Sequence, residues 1–130
     1  MKISACVIVK NEAANIDRWL DCVRQIADEI IVVDTGSEDD TVAIAEHGGA
    51  KVYHFSWCDD FSAAKNFALE QAKGEWIIFL DADEYFTDAS IPKLRAYIKK
   101  YHPDQRTVGI VCKLFNIDKD RENRFIGTTC

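Results

Sequence analysis

The sequence lacks the features that mark several common classes of protein. Among its 130 residues, no apolar run approaches the ~20 residues that a membrane-spanning helix needs. The first residues lead directly into a strand pattern, and they show neither the apolar core nor the cleavage site of a signal peptide. We therefore expect residues 1–130 to form a single domain that has no membrane span and is located in the cytoplasm.

Paired cysteines, basic stripes and glycine-rich phosphate loops are also missing. The five cysteines are widely spread and form no CxxC pair, which argues against a zinc site or a disulfide framework. The net charge is −6, with 22 acidic and 16 basic residues, so we expect no nucleic-acid partner. No GxGxxG or Walker A run is present, which leaves the common dinucleotide and P-loop sites without support.

What the sequence does contain is an alternation of strand and helix patterns. Apolar and β-branched runs predict buried strands, and apolar residues at helical spacing predict helices between them. The predicted strands are 3–9, 29–33, 51–55, 76–80 and 108–117, and the predicted helices are 13–24, 41–47, 61–73 and 90–101. This order predicts an α/β fold with a mostly parallel central sheet and helices on both faces. The polar tail, residues 118–130, is expected to form a loop.

Polar residues follow three of the predicted strands directly. The three segments are Lys10-Asn11-Glu12, Asp34-Thr35-Gly36-Ser37 and Asp81-Ala82-Asp83-Glu84. The carboxyl ends of parallel strands meet at one edge of the sheet, and ligands bind there where the strand order reverses. These segments are therefore the candidate ligand site.

The most informative of these segments is the acidic turn Asp81-Ala82-Asp83. The turn places two carboxylates, separated by one small residue, at the end of an apolar strand. Holding these like charges close together costs free energy unless a counter-charge is present. Mg²⁺ and Mn²⁺ prefer oxygen ligands, and magnesium is often held by one or two carboxylates and substrate phosphates. The alternative is a solvated turn. We favour a divalent metal and the diphosphate of an activated ligand.

Other polar residues leave two interpretations open. Asp34 is either the acid of an Asx-turn or a hydrogen-bond partner of a base or ribose. Asn11 either caps the first helix or lines a ligand pocket. Lys65 lies close to the start of a predicted helix, where it is either a solvated cation or a contact for a diphosphate.

Four stretches together resemble the N-terminal part of the family 2 glycosyltransferases. They are ISACVIVKNE (3–12), IIVVDTGSEDDT (30–41), DFSAAKN (60–66) and GEWIIFLDADE (74–84), in the order of the family. The resemblance implies a Rossmann-like three-layer GT-A fold. It also implies inverting transfer of a sugar from a nucleotide-diphosphate donor, a UDP- or GDP-sugar, to an acceptor that the sequence does not identify.

The resemblance further implies roles for individual residues. Asp83 would bind Mn²⁺ or Mg²⁺ between the donor's phosphates, with Asp81 beside it on the metal, ribose or diphosphate. The implied nucleotide-sugar-binding residues are Lys10, Asn11, Glu12, Val33, Asp34, Thr35, Lys65, Asn66, Asp81 and Ala82. Two positions depart from the common pattern, since many members have an acid in place of Thr35 and an arginine in place of Lys65.

The same resemblance places the catalytic base beyond Cys130. Residues 1–130 are thus expected to be the donor-binding domain, with the acceptor-binding half absent, and an uncovered face or sheet edge would favour a homodimer. One alternative is a non-catalytic nucleotide-binding or oligomerising module. Another is a haloacid dehalogenase-type phosphatase with Asp81 as nucleophile, which needs more chain than follows the acidic turn.

Overall fold

The computed structural model describes residues 2–100, together with the backbone of two further strands. The elements in chain order are β1 Ile3–Val9, α1 Ile16–Arg24, β2 Glu29–Asp34, α2 Thr41–His47, β3 Lys51–His54, α3 Phe61–Gln71, β4 Trp76–Phe79, α4 Ser90–Lys100, β5 Leu114–Asp118 and β6 Arg124–Thr129. Within this part of the chain, every helix is too short or too polar to cross a membrane.

Four strands form a parallel sheet in the order β3-β2-β1-β4. The central strand β1 pairs with β2 from Ser4 to Val9 and with β4 from Ile3 to Cys6. Because β1 has a partner strand on each side and helices on each face, its nearly continuous apolar run is buried. The chain proceeds outward from β1 to β3 and then returns to the other side of β1. The strand order therefore reverses between β1 and β4.

Helices cover both faces of this sheet. On one face, Trp19 of α1 shares a core cluster with Val7 of β1 and with residues of α2. On the other face, Ala68 of α3 packs with Cys6 of β1. Helix α4 packs through Ile98 on the same side as α1. The predicted α/β fold, with a parallel sheet between two helical layers, is confirmed.

Helix α1 begins later than its apolar pattern predicts. The buried stripe of the helix is Ile16, Trp19, Leu20 and Val23, as the helical spacing indicates. The backbone N–H groups of Asn15 and Ile16 both donate to the Glu12 carbonyl at 2.9 Å. Residues 13–15 are therefore used in a turn that leads into the helix.

The C-terminal strands differ from the prediction. Strands β5 and β6 pair antiparallel, with Leu114 opposite Thr129 and Asp118 opposite Arg124. The tail that was expected to be a loop thus contains a strand, while residues 108–113 of the predicted fifth strand lie outside the described residues. The segment RFIGTT is short and only partly apolar, so its strand conformation depends on backbone pairing with β5, which an apolar pattern does not reveal.

A buried polar cluster joins the amino ends of the strands. The Glu29 carboxylate accepts hydrogen bonds from the Ser4 hydroxyl at 2.5 Å, the Lys73 backbone N–H at 2.9 Å and the Lys51 ammonium at 3.3 Å. Burial opposes the charge of Glu29, but these hydrogen bonds outweigh it and lower the pKa of Glu29 to about 2. Ser4 also accepts from the Gly74 N–H at 2.8 Å. This cluster connects β1, β2 and the entry to β4 at the edge opposite the candidate site.

Candidate functional site

The three polar segments lie along one edge of the sheet. Strands β1, β2 and β4 end at Val9, Asp34 and Phe79, and all of them run in the same direction. Since β2 and β4 flank β1, the loop of Lys10 lies between the Asp34 segment and the acidic turn. The structure thus brings the predicted site segments together around the point where the strand order reverses.

The loop after β1 is tied to the loop after β2 through Asn11. Asn11 has a φ of 55°, a left-handed conformation that asparagine tolerates better than most residues. Its backbone N–H donates to the Ser37 hydroxyl at 2.9 Å, and its side-chain oxygen accepts from the Glu38 N–H at 2.7 Å. Asn11 is therefore not the cap of α1, which begins after Asn15. Its side chain holds two loops together.

Glu12 and Thr41 form a second connection between these loops. The Glu12 N–H donates to the hydroxyl of Thr41 at 2.9 Å, and Thr41 is fully buried. The Thr41 hydroxyl donates in turn to the carboxylate of Asp39, and this hydrogen bond is the main cause of a lowered pKa of Asp39. The Glu12 carboxylate accepts from the Asn15 side chain at 3.0 Å. The loop after β1 is consequently fixed from both sides.

Asp34 is buried and holds the turn that follows it. Only 4% of the residue is exposed. Its carboxylate accepts from the N–H groups of Gly36 and Ser37 at 3.2 Å, and the φ of Gly36 is 118°. The His54 imidazole lies 3.6 Å from the same carboxylate. The Asx-turn interpretation of Asp34 is therefore observed, while a contact with a base or ribose stays a prediction.

Thr35 and Val33 contribute to the frame of the site. The backbone N–H and the hydroxyl of Thr35 donate to the Val9 carbonyl at 3.0 and 3.1 Å, so this side chain joins the ends of β1 and β2. The Val33 side chain is fully buried in the core beneath α3. The hydroxyl hydrogen of Thr35 is thus engaged, and any ligand contact from Val33 is limited to its backbone.

Beside Asp34 lies an open cleft of about 380 Å³, and its residues 54–57 are not among the site residues predicted from the sequence. It is lined by Asp34, Thr35, Gly36, His54, Phe55, Ser56 and Trp57. His54 is the last residue of β3, and residues 55–57 follow that strand just as the other site segments follow theirs. Their position at the end of a predicted strand was the sequence signal that could have identified them as site residues. Aromatic rings next to a carboxylate give this cleft surfaces suited to a flat, polar ligand.

The acidic turn presents both of its carboxylates to solvent. Asp81 and Asp83 are exposed, whereas Ala82 between them is buried with the residues of α1. The turn is closed by the Asp81 N–H, which donates to the Glu84 carboxylate at 2.9 Å, and by the Glu84 N–H, which donates to the Asp81 carbonyl at 2.9 Å. Within residues 2–100, no hydrogen bond or ion pair reaches the carboxylate of Asp81 or Asp83.

Lys65 approaches the same edge from the other face of the sheet. Helix α3 begins after Asp60, whose carboxylate accepts from the Ala63 N–H at 3.2 Å. The Lys65 ammonium lies 5.0 Å from the centre of the Phe79 ring, the last residue of β4 before the acidic turn. Asn66 is exposed on the same helix. The structure therefore places a cation next to the strand that leads into the acidic turn.

Known proteins share both the sequence and the fold. Residues 4–127 match the model of glycosyl transferase family 2. The chain is 47% identical over 97 residues to a TPR repeat-containing protein of Synechococcus elongatus. This alignment covers 75% of this chain and 24% of that protein. It is 43% identical over 113 residues to an uncharacterized glycosyltransferase of Rickettsia felis, which covers 87% of this chain and 39% of that protein.

A solved structure of a glycosyltransferase also matches this chain in fold and in sequence. Glucosyl-3-phosphoglycerate synthase from Mycobacterium tuberculosis matches with a TM-score of 0.57 and 26% identity over 65% of this chain and 35% of that enzyme. That enzyme was crystallised with Mn²⁺, UDP and glucosyl-3-phosphoglycerate. The alignments span less than half the length of these relatives. Because the family model matches nearly every residue, the chain belongs to glycosyl transferase family 2.

Proposed function

We propose that this chain binds the nucleotide-diphosphate sugar donor of a glycosyltransferase through a divalent metal on the acidic turn. The observation that carries the proposal is the position of Asp81 and Asp83, whose exposed carboxylates lie at the reversal between β1 and β4. Family membership supports glycosyl transfer and excludes the phosphatase alternative. The related synthase supports the choice of ligand, since it was crystallised with UDP and either Mn²⁺ or Mg²⁺.

The acidic turn has the donor atoms that such a metal requires. Asp81 and Asp83 supply hard, exposed oxygen atoms, and no described cation is paired with either carboxylate. Within the described part of the chain, no group of three or more His, Cys, Asp or Glu side chains could hold a metal by itself. Two carboxylates suit an ion whose remaining ligands are water and the phosphates of the donor. When bound, the metal supplies positive charge that stabilises the departing diphosphate.

The chain's own residues would hold the rest of the donor. Lys10 and Lys65 are exposed cations near this edge, and each can contact a diphosphate as a single point charge. The cleft beside Asp34, with Trp57 and His54, would accept the nucleoside. Position 35 is a threonine where many family members have an acid, and its hydroxyl donates a hydrogen bond to the Val9 carbonyl. The choice between a uracil and a guanine base is accordingly open.

The proposal assigns donor binding to this chain and leaves the acceptor unidentified. We propose transfer with inversion, in which a carboxylate outside residues 2–100 activates the acceptor hydroxyl. The alternative from the sequence, a module that binds the nucleotide without turnover, differs in one respect. It binds the nucleotide and metal but does not hydrolyse or transfer the sugar of a UDP- or GDP-sugar.

Calorimetric titration of the chain with UDP and with GDP, in the presence and absence of Mn²⁺, tests donor binding. We expect one nucleotide to bind at least ~10-fold more tightly with Mn²⁺, and Asp83→Ala to abolish that gain. Asp88→Ala is the matched control, because it removes another exposed carboxylate shortly after the same turn. Binding that does not respond to Mn²⁺, or that survives Asp83→Ala undiminished, contradicts the proposal.

A further inference from the structure

One face of helix α1 contacts the whole segment that carries the acidic turn. The Trp19 indole N–H donates to the Leu80 carbonyl at 3.2 Å. The Arg18 guanidinium donates to the Asp83 carbonyl at 3.4 Å and lies 4.6 Å from the centre of the Tyr85 ring. The contacted residues are therefore Leu80, which precedes the acidic turn, Asp83, which is its second acid, and Tyr85, which follows it.

A third residue of α1 extends this contact beyond the turn. The Cys22 sulfur accepts a hydrogen bond from the Phe86 N–H at 3.2 Å, and Cys22 lies one helical turn after Arg18. Residues 80–86 are thus followed along their length by the side chains of a single helix.

The sheet does not hold this segment. The ladder between β1 and β4 ends at the pair Cys6–Phe79, so Leu80 and the residues after it have left the strand pairing. Trp19 is fully buried in the core, where close packing fixes the ring and so directs its N–H. A side chain held in this way gives the Leu80 carbonyl a partner in a defined place.

Helix α1 is also attached to the loop after β1. The Glu12 carbonyl accepts from the first N–H groups of the α1 turn, and the Glu12 N–H donates to the buried Thr41 hydroxyl. Helix α1 therefore links the loop after β1 to the segment after β4. The distance between this loop and this segment therefore depends on α1.

We infer that Trp19 and Arg18 are positioning residues that set where the carboxylates of Asp81 and Asp83 lie at the edge of the sheet. Both act through the backbone carbonyls of Leu80 and Asp83, and within residues 2–100 no hydrogen bond or ion pair joins them to the carboxylates of Asp81 and Asp83. Their effect on metal affinity rests on the proposed function, whereas their effect on the order of the turn does not.

The variants Trp19→Phe, Arg18→Ala and Arg18→Lys test this role by Mn²⁺ titration at saturating UDP. We expect the first two to weaken Mn²⁺ binding by about tenfold, with UDP affinity in the absence of metal unchanged. Arg18→Lys should restore part of the loss, because lysine can donate to the carbonyl but lacks the planar group that stacks on Tyr85.

Arg24→Ala is the matched control. Arg24 lies on the same helix and also donates to a backbone carbonyl, but its partner is Gly48 at 3.0 Å, after α2. This variant should bind Mn²⁺ as the wild type does. A loss of equal size in Arg24→Ala would show that any weakening of α1 has the same effect, which overturns the specific role of Trp19 and Arg18.

Hydrogen–deuterium exchange gives a readout that is independent of the metal. The amides of Glu84 and Phe86 should exchange faster in Trp19→Phe and Arg18→Ala, with the amides of β1 unchanged. Where Trp19→Phe fails to fold, exchange in Arg18→Ala decides, since Arg18 is exposed. Unchanged exchange at the turn overturns the positioning role. A wild type without Mn²⁺-dependent UDP binding refutes the proposed function, and exchange still decides this inference.

Discussion

Two buried carboxylates, Glu29 and Asp34, stand at opposite ends of strand β2. Only 7% of Glu29 and 4% of Asp34 are exposed, and each accepts hydrogen bonds from backbone N–H groups. Leaving such a buried acceptor unpaired costs about 1–3 kcal/mol, and more when it is charged. Each carboxylate therefore fixes the chain around it. Glu29 fixes the amino ends of the strands, and Asp34 fixes the turn beside the cleft.

The lowered pKa of Glu29 predicts acid sensitivity. Its folded pKa of about 2 lies below the ordinary value of 4.5, so its contribution is fully present above pH 4.5 and is lost as the pH falls toward 2. A shift of this size corresponds to about 3 kcal/mol. In Glu29→Gln, we expect a lower free energy of unfolding at neutral pH and a weaker dependence on pH in this acid range. Urea unfolding followed by circular dichroism measures both quantities.

The control for this prediction is Glu75→Gln, which removes an exposed carboxylate at the entry to β4. It should change neither the free energy of unfolding at neutral pH nor its acid dependence by more than ~0.5 kcal/mol. If Glu29→Gln follows the wild-type pH profile, then Glu29 is not the group responsible.

Gly74 predicts a steric effect at the same cluster. A Cβ atom at this position would lie 2.6 Å from the Ser4 hydroxyl oxygen, 2.7 Å from the Ser4 backbone nitrogen and 2.9 Å from the Lys2 carbonyl oxygen. Two of these atoms belong to backbone and cannot move easily, so Gly74→Ala should destabilise the fold by about 1–3 kcal/mol. The midpoint of urea unfolding measures this cost.

Gly49 offers the comparison, since its substitution raises a different problem. A Cβ atom there meets nothing within 4 Å, but its φ of 90° is unfavourable for other residues. Gly49→Ala should therefore cost only about 1 kcal/mol, from the backbone alone. An unfolding midpoint for Gly74→Ala at or above that of Gly49→Ala would contradict the steric argument.

At the scale of elements, the site depends on loops that hold one another. The loop after β1 is joined to the β2–α2 loop by Asn11 with Ser37 and by Glu12 with Thr41. These hydrogen bonds connect residues 26 and 29 positions apart in the sequence. Neither loop contains enough apolar surface to fix itself. The geometry of this part of the site therefore belongs to the pair of elements.

Thr41→Val tests this connection. Valine keeps the shape of threonine but removes the hydroxyl that accepts from the Glu12 N–H, which should cost about 1–3 kcal/mol. The pKa of Asp39 should also rise toward its ordinary value, because the Thr41 hydroxyl is the first cause of its decrease. Urea unfolding and an NMR titration of the Asp39 carboxyl measure the two effects. Thr41→Ser keeps the hydroxyl, and an equal rise of the Asp39 pKa in that variant would refute the explanation.

At the scale of the whole molecule, ligand binding should stabilise the fold. A donor bound across the ends of β1, β2 and β4 binds the folded chain and not the unfolded one. At a UDP concentration about 100 times the dissociation constant, this adds ~2.7 kcal/mol, and on the order of 10 °C in Tm for a domain of this size. Differential scanning fluorimetry measures the shift, which EDTA and Asp83→Ala should remove.

Asp88→Ala serves again as the variant that should keep the shift, since Asp88 lies outside the proposed metal ligands. A Tm that rises equally with UDP in Mn²⁺ and in EDTA would mean that the nucleotide binds without the metal. That result would remove the acidic turn from the proposed function.

The apolar runs and their spacing were enough to predict the four-stranded parallel sheet and its helical layers. Buried strands such as Ile3–Val9 need apolar side chains on both faces, and this requirement is local in the sequence. The short strand β6 was not predicted, since it is stabilised by pairing with β5 and carries few apolar residues. Patterns therefore reveal elements that bury their own side chains and miss those that depend on a partner.

The sequence by itself determined that polar residues would collect at one edge of the sheet. Parallel strands share a direction, so residues that end them share an edge, and Asp34 and Asp83 could be placed there from their order in the chain. It also offered an Asx-turn acid as one interpretation of Asp34, which the structure shows. It did not indicate that Asn11 would tie two loops together, or that His54 would lie beside the Asp34 carboxylate.

Only the tertiary structure decided which side chains hold the acidic turn. Trp19 and Leu80 are 61 residues apart, and nothing in the spacing of either residue points to the other. Their hydrogen bond exists because α1 packs over β1 and β4, which brings the indole N–H to a carbonyl that has left the sheet. Such contacts depend on the distance between packed elements, and a single sequence records only the order of its residues.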